Sequence, residues 1–150
     1  MIGLVSFRLG ARVYATPLAE VREVVRLQGL ADLPGMAPPL AGVMDVRGTA
    51  LPVLDLRVGA RPGDPGDVLV LDRPPANGGP VGVAVDQVRA VVDPTELPAT
   101  GTTSQDGVLP AYVLDVLRGP DGVVFLVDLL RMVAGAAAQT GTANTMTLSR

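Results

Sequence analysis

The chain has 150 residues, 48% of them hydrophobic and 18% charged, which suits one domain or two very small ones sharing a core. It has no His, Cys or Trp, and all 12 basic residues are Arg; this excludes zinc sites, Ser-His-Asp and Cys-His nucleophile systems, and lysine Schiff bases or phosphate-binding P-loops. The net charge is −3 with the Arg residues scattered singly among Asp, which argues against a nucleic-acid or anionic-membrane binder acting on its own charge.

The N-terminal run Met1–Ala15 lacks a basic start and is broken by Arg8 and Arg12, so it does not read as a signal peptide. No apolar run reaches the roughly 18 residues of a membrane span, and the absence of cysteine fits a reducing compartment. A cytoplasmic location is expected. Gly (18) and Pro (14) make up about a fifth of the chain, against nearer one eighth on average. They punctuate short runs rich in Val and Leu, which predicts strands. In chain order these are Leu4–Leu9, Arg12–Thr16, Val21–Leu27, Val43–Val46, Leu51–Leu56, Val68–Leu71, Val81–Val85, Val88–Val92, Val113–Leu117 and Val123–Val127. In Val21-Arg22-Glu23-Val24-Val25-Arg26 polar and apolar positions interleave. Pro34, Pro38 and Pro39 limit the segment between Asp32 and Leu40 to one helical turn. A second turn is expected from Asp128, a suitable N-cap for Leu129-Leu130-Arg131-Met132-Val133. Gly59–Gly66 reads as a stiff connector, Pro98–Gly107 as a polar loop, and 135–150 as a flexible tail with little to bury. Ten short strands with little helix predict an all-β barrel or sandwich.

The strands echo one another. Glu20–Val25 recurs as Gln87–Val92, Ala41–Gly48 as Ala111–Gly119 with one insertion, and Val53–Leu56 as Leu126–Leu129, all in order and about 70 residues apart. A degenerate duplication follows, with halves at roughly 1–60 and 67–133 inside one domain of 1–134, strands being open to exchange between them. Halves of about 65 residues are too small to hold large separate cores. They are expected to share an apolar seam.

Catalysis has only carboxylates to work with. Most of the 12 Asp residues close strands or sit in turns, as Asp55, Asp72, Asp86, Asp93 and Asp121 do. A carboxylate hydrolase or small-molecule-binding barrel would need two close carboxyl groups in a deep pocket, one of them perturbed. A binding surface is the better reading. Leu40–Arg57 forms two strands turning at Arg47-Gly48-Thr49, and Pro52 within the second places that strand at an edge or a bulge. An edge strand is a docking site for another sheet. Glu23 stands in an otherwise apolar strand and Arg47 ends another; they form a candidate charge pair beside the seam, or two solvated residues on an outer face.

At this point the residues resemble the CheW family, adaptors that join chemoreceptors to the histidine kinase CheA. The likeness runs over nearly all of 3–133, from Phe7-Arg8-Leu9-Gly10 through Val21-Arg22-Glu23-Val24-Val25. It is densest in Leu33-Pro34, Pro38, Gly42-Val43-Met44-Asp45-Val46-Arg47-Gly48 and Pro52-Val53-Leu54-Asp55-Leu56-Arg57, and ends in Val81–Val88 and Gly122–Leu130. The resemblance implies two packed five-stranded SH3-like barrels and a scaffold with no turnover, metal or cofactor. It implies two partners, the regulatory domain of a CheA-type histidine kinase and the cytoplasmic tip of methyl-accepting chemoreceptors, with no nucleic acid and no membrane insertion. Carried over by position, Glu23 and Arg47 are an ion pair. Val21, Gly42, Val91 and, by a looser alignment, Val68 match partner-coupling positions. Where the family carries Asn-Leu-Arg-Gly this chain has Asp45-Val46-Arg47-Gly48, so Asp45 is expected to compete with Glu23 for Arg47. Ala41 replaces a residue that is often charged, and Asp115 a glycine. These departures leave open a scaffold of a non-chemotactic signalling complex.

Overall fold

The computed structural model describes residues 3–61, 63–73, 78–101 and 107–135. All ten predicted strands are present: β1 (Leu4–Leu9), β2 (Arg12–Pro17), β3 (Val21–Arg26), β4 (Leu40–Val46), β5 (Thr49–Asp55), β6 (Asp67–Leu71), β7 (Val81–Val85), β8 (Gln87–Val92), β9 (Val113–Gly119) and β10 (Gly122–Val127). A helix, α1, covers 129–135. Asp128 caps it, its Oδ1 accepting from the Arg131 backbone N–H at 3.1 Å, as a side-chain oxygen at that position should. The expected tail from 136 onward, and the centre of the polar loop at 102–106, lie outside the described residues.

The strands form two five-stranded sheets, ordered β3-β6-β7-β5-β4 and β8-β1-β2-β10-β9. The two orders are one topology written twice. Hairpin β6-β7 stands to β3, β5 and β4 as hairpin β1-β2 stands to β8, β10 and β9, down to the parallel pairings β5·β7 and β2·β10. Sheet membership therefore cuts across the division at 60/67. Each half keeps its last three strands and contributes its hairpin to the sheet of the other.

The equivalence extends to single residues. β3 against β6 and β8 against β1 both shift register at a bulge, which skips Arg22 in one sheet and Arg89 in the other. Around them, Val70 opposite Glu23 corresponds to Ser6 opposite Ala90. One sequence echo is corrected by these registers. Val53 pairs with Gly42 and its counterpart Leu126 with Asp115, so Gly42 corresponds to Asp115 and not to Tyr112. The local likeness of Ala41–Gly48 to Ala111–Gly119 is three residues out of step.

Each sheet buries both faces. Leu69, Leu71, Val81, Val83 and Val85 meet Val5, Phe7, Val127, Leu129 and Val133 in one shared core. Val68, Val70 and Ala84, on the opposite face of the same strands, join Met44, Leu51 and Val53 in a second core. Leu4, Ala15, Leu97, Leu117 and Val124 make a third, smaller one. The alternation of side chains along a strand produces this double burial. All the aromatic residues collect at the shared seam: Phe7 stacks on Tyr14 at 5.7 Å, Tyr14 meets Phe125 at 5.8 Å, and Tyr112 packs beside them.

Pro52 does not mark an edge. β5 lies between β7 and β4, and the bulge in β4·β5 falls at Leu40/Gly42. Pro52 faces Val43, whose backbone N–H and C=O are both engaged with Ala31 on the far side. The parallel ladder to β7 begins at Val53. The missing donor thus falls where neither neighbour needs one, which is how an interior strand accommodates proline.

Candidate functional site

The β4-β5 turn places Arg47 and Gly48 at φ 50° and 83°, positive at both central residues as a tight right-twisted hairpin requires. Asp45 Oδ1 accepts from the Gly48 N–H at 2.7 Å and fixes that turn. Asp45 is thereby occupied. The expected competition for Arg47 does not occur: the Arg47 guanidinium donates to Glu23 Oε2. This hydrogen bond, foremost, holds the Glu23 carboxyl below its ordinary range. Glu23 in turn raises Arg47.

The position of this pair says more than its strength, since surface pairs contribute little. β3 and β4 are the two outer strands of their sheet, four spacings or about 19 Å apart if the sheet were flat. An ion pair reaching from β3 to the end of β4 means that the sheet curls and brings its outer strands toward each other. In backbone, Ala31, five residues past the end of β3, bridges to Val43 of β4. Gly42 permits it: at φ 153° a Cβ there would stand 2.8 Å from the Ala31 carbonyl oxygen. An Ala99–Leu117 bridge likewise ties the segment after β8 to β9.

The remaining predicted residues scatter. Val21 is half-buried against the shared seam. Val68 is fully buried in the second core, so it has no surface of its own. Val91 is 63% exposed on β8, in the other sheet from Glu23 and Arg47. Its counterpart on β3, Val24, is 43% exposed. Of the expected residues only Glu23 and Arg47 are brought into contact, while Gly42 packs against Ala31.

Arg57 escaped the sequence reading. Its guanidinium, 4% exposed, is held by Asp55 through Nε–Oδ1 at 3.0 Å and Nη2–Oδ2 at 2.9 Å. It also donates to the Pro65 carbonyl at 2.9 Å. The stiff connector owes its path to this clamp as well as to its prolines. An Asp two residues before an Arg at a strand end was the available signal.

Among the described residues, the one carboxyl group raised by burial stands apart from the hollows. Glu20 is raised, first by burial and then by Asp128, yet neither residue lines any of three hollows of about 640, 740 and 620 Å³ on the molecule. Among the described residues no acidic group is arranged to hold a metal ion, and no helix is long and apolar enough to cross a membrane.

Known proteins share this arrangement. The family described as CheW-like domain matches residues 3–137. Protein PilI of Pseudomonas aeruginosa is 40% identical over 52 residues, 35% of this chain and 29% of PilI. The probable chemotaxis protein CheW of Rhizobium etli is 30% identical over 95 residues, 62% of this chain and 61% of that protein. The chemotaxis protein CheW of Bacillus subtilis is 32% identical over 54 residues, 36% and 35% of the two chains. The chain thus spans less than two thirds of each of these curated relatives. The solved scaffolding protein TtCheW of Thermoanaerobacter tengcongensis superposes with a TM-score of 0.65 at 21% identity, over 85% of this chain and 84% of that one; at that identity the likeness is one of fold. With the family match running almost end to end over strands that build the same fold, this chain belongs to the CheW-like domain family.

Proposed function

We propose that this protein is a cytoplasmic, non-enzymatic adaptor that couples chemoreceptors to a CheA-type histidine kinase. One observation carries the reading: two sheets of identical topology stand on one core. A rigid body with two pseudo-equivalent faces suits the joining of two partners better than it suits turnover. The kinase partner is its regulatory domain and the receptor partner its cytoplasmic tip. The docking residues are Val21, Glu23, Gly42, Arg47 and Val91, with Val68 supporting β3 from beneath. Having no histidine, the chain influences a phosphorelay through binding alone.

Pull-down of the full chain with the regulatory domain of the CheA-type kinase from the same genome tests this reading, and binding at micromolar concentration is expected. Arg47→Ala should weaken that binding about tenfold while leaving the melting temperature nearly unchanged, since the pair is solvent-exposed. A folded variant that binds both partners as before would remove Arg47 from the site. The likeness to PilI favours a second reading, a scaffold in a signalling complex unrelated to chemotaxis. Binding to a kinase domain without binding to any chemoreceptor tip would select it.

A further inference from the structure

The equivalence of the two sheets allows their rims to be compared residue by residue, and the comparison is uneven. On the first rim Arg22 pairs with Asp72 at 3.5 Å, and Arg47 with Glu23. On the second rim the bulged Arg22 becomes Arg89, and Asp72, which follows Leu71, becomes Arg8, which follows Phe7. Glu23 becomes Ala90, and Asp45 becomes Arg118. Each carboxylate of the first rim is thus replaced, three times over, by an arginine or by alanine. Among the described residues Arg12, Arg89 and Arg118 form no ion pair. Arg8 donates to the Gly10 carbonyl at 2.8 Å.

Arg8, Arg12 and Arg89 stand at one opening. A hollow of about 640 Å³ lies between β1, β2, β8 and the β9-β10 turn. Arg8, Arg12 and Arg89 line it with a single carboxylate, Asp121. The other acidic group close by, Asp86, is taken by the Gly10 N–H at 2.7 Å. Its floor is apolar, with Val13, Val92, Leu97 and Val124. Space arises because Ser6 stands where the first sheet has Val70, its hydroxyl turned to the Ala90 carbonyl at 3.2 Å.

We infer that this hollow binds an acidic segment of a partner protein, with an apolar side chain on the floor and flanking carboxylates on Arg8, Arg12 and Arg89. The groups missing from the second rim are carboxylates, and guanidinium groups recognise carboxylates in a planar, two-point geometry. An apolar floor favours a peptide, which can bring an apolar side chain, over a phosphate polymer. The inference rests on a different rim from Glu23 and Arg47; of the proposed docking residues only Val91, on β8, lies beside the hollow.

The test uses the full chain and a fluorescein-labelled peptide alternating Glu with Val and Leu, followed by anisotropy and NMR shift mapping. Binding should shift Ser6, Arg12 and Val123, weaken with added salt, and fall about tenfold or more with Arg89→Ser. Arg8→Asp, which restores the carboxylate of the first rim in place, should abolish it with the melting curve still cooperative. Arg131→Ser, away from the hollow, should change nothing. Equal binding of the Gln counterpart, shifts confined to another surface, or tighter binding of a polyphosphate or single-stranded oligonucleotide would overturn the proposal.

Discussion

Glu23 shows how a single exposed carboxyl can report on the shape of a whole sheet. Its folded value is held below the ordinary 4.5 by the hydrogen bond from Arg47. A depressed carboxyl contributes its share of order above its unfolded value and loses it as pH falls through the folded one. An NMR titration of Glu23 should therefore give a midpoint below 4.5, moving up in Arg47→Ala; an unmoved midpoint would mean that the pair does not persist in solution. The sequence made both residues visible, because an acidic residue in an apolar strand and an arginine before a turn glycine stand out. It hid the role of Asp45, since an Asp near an Arg reads as a partner until the turn claims it. Arg57 was hidden for the opposite reason: its one local signal, Asp55 two residues before it, looks the same at a solvated strand end.

The strands themselves were written plainly, as β-branched runs bounded by Gly, Pro and Asp. What they pair with was not, because pairing is set by packing far along the chain. Pro52 is the clearest case. Its missing donor is a local fact, but whether a donor is needed depends on Val43, Ala31 and Val53. The echo of β4 in β9 misled by three residues because a Val-rich strand matches another at several offsets. Gly82 also has meaning only in place. It lies on β7 facing the second core, where a Cβ would stand 2.7 Å from Val68 Cγ1 and 2.9 Å from Leu51 Cδ2. Gly82→Ala should cost about 1–3 kcal/mol by overpacking, read by urea denaturation. Val68→Ala should recover part of that loss in the double variant, as contacting residues couple. The other sheet already carries the larger residue, Ala15, at this position, so the restriction belongs to the packing and not to the topology.

At the scale of the molecule the two halves are reciprocal. Each sheet is complete only when the hairpin of the other half is in it. A fragment of 1–60 alone should therefore lack cooperative unfolding by circular dichroism, and so should 61–150, while a mixture of the two should regain it. Cooperative melting of either fragment by itself would show that the exchange is dispensable. The shared core explains why neither half can be spared. Phe7, Leu69, Val83 and Val127 are fully buried in it, at about 1.5–3 kcal/mol each, and they come from both halves. The sequence announced two halves and a seam, but left the exchange open, because a duplication leaves the same echoes whether or not its strands are swapped.

The same exchange governs the order of assembly during synthesis. Hairpin β1-β2 leaves the ribosome first, yet its neighbours β8 and β10, with β9 beyond, are made last. The Thr16 hydroxyl waits for the Val127 carbonyl, 111 residues later, for its hydrogen bond at 3.2 Å. Hairpin β6-β7, by contrast, finds β3, β4 and β5 already made. The sheet around β6 and β7 can close while the chain is still growing, and the first hairpin must remain unpaired until translation is nearly over. Chains dominated by such distant contacts fold slowly and expose open strand edges in the meantime. A stalled or truncated translation product of this protein would hold one finished sheet and a loose, Val- and Phe-bearing hairpin, which makes it a natural client for chaperones that recognise unpaired strands.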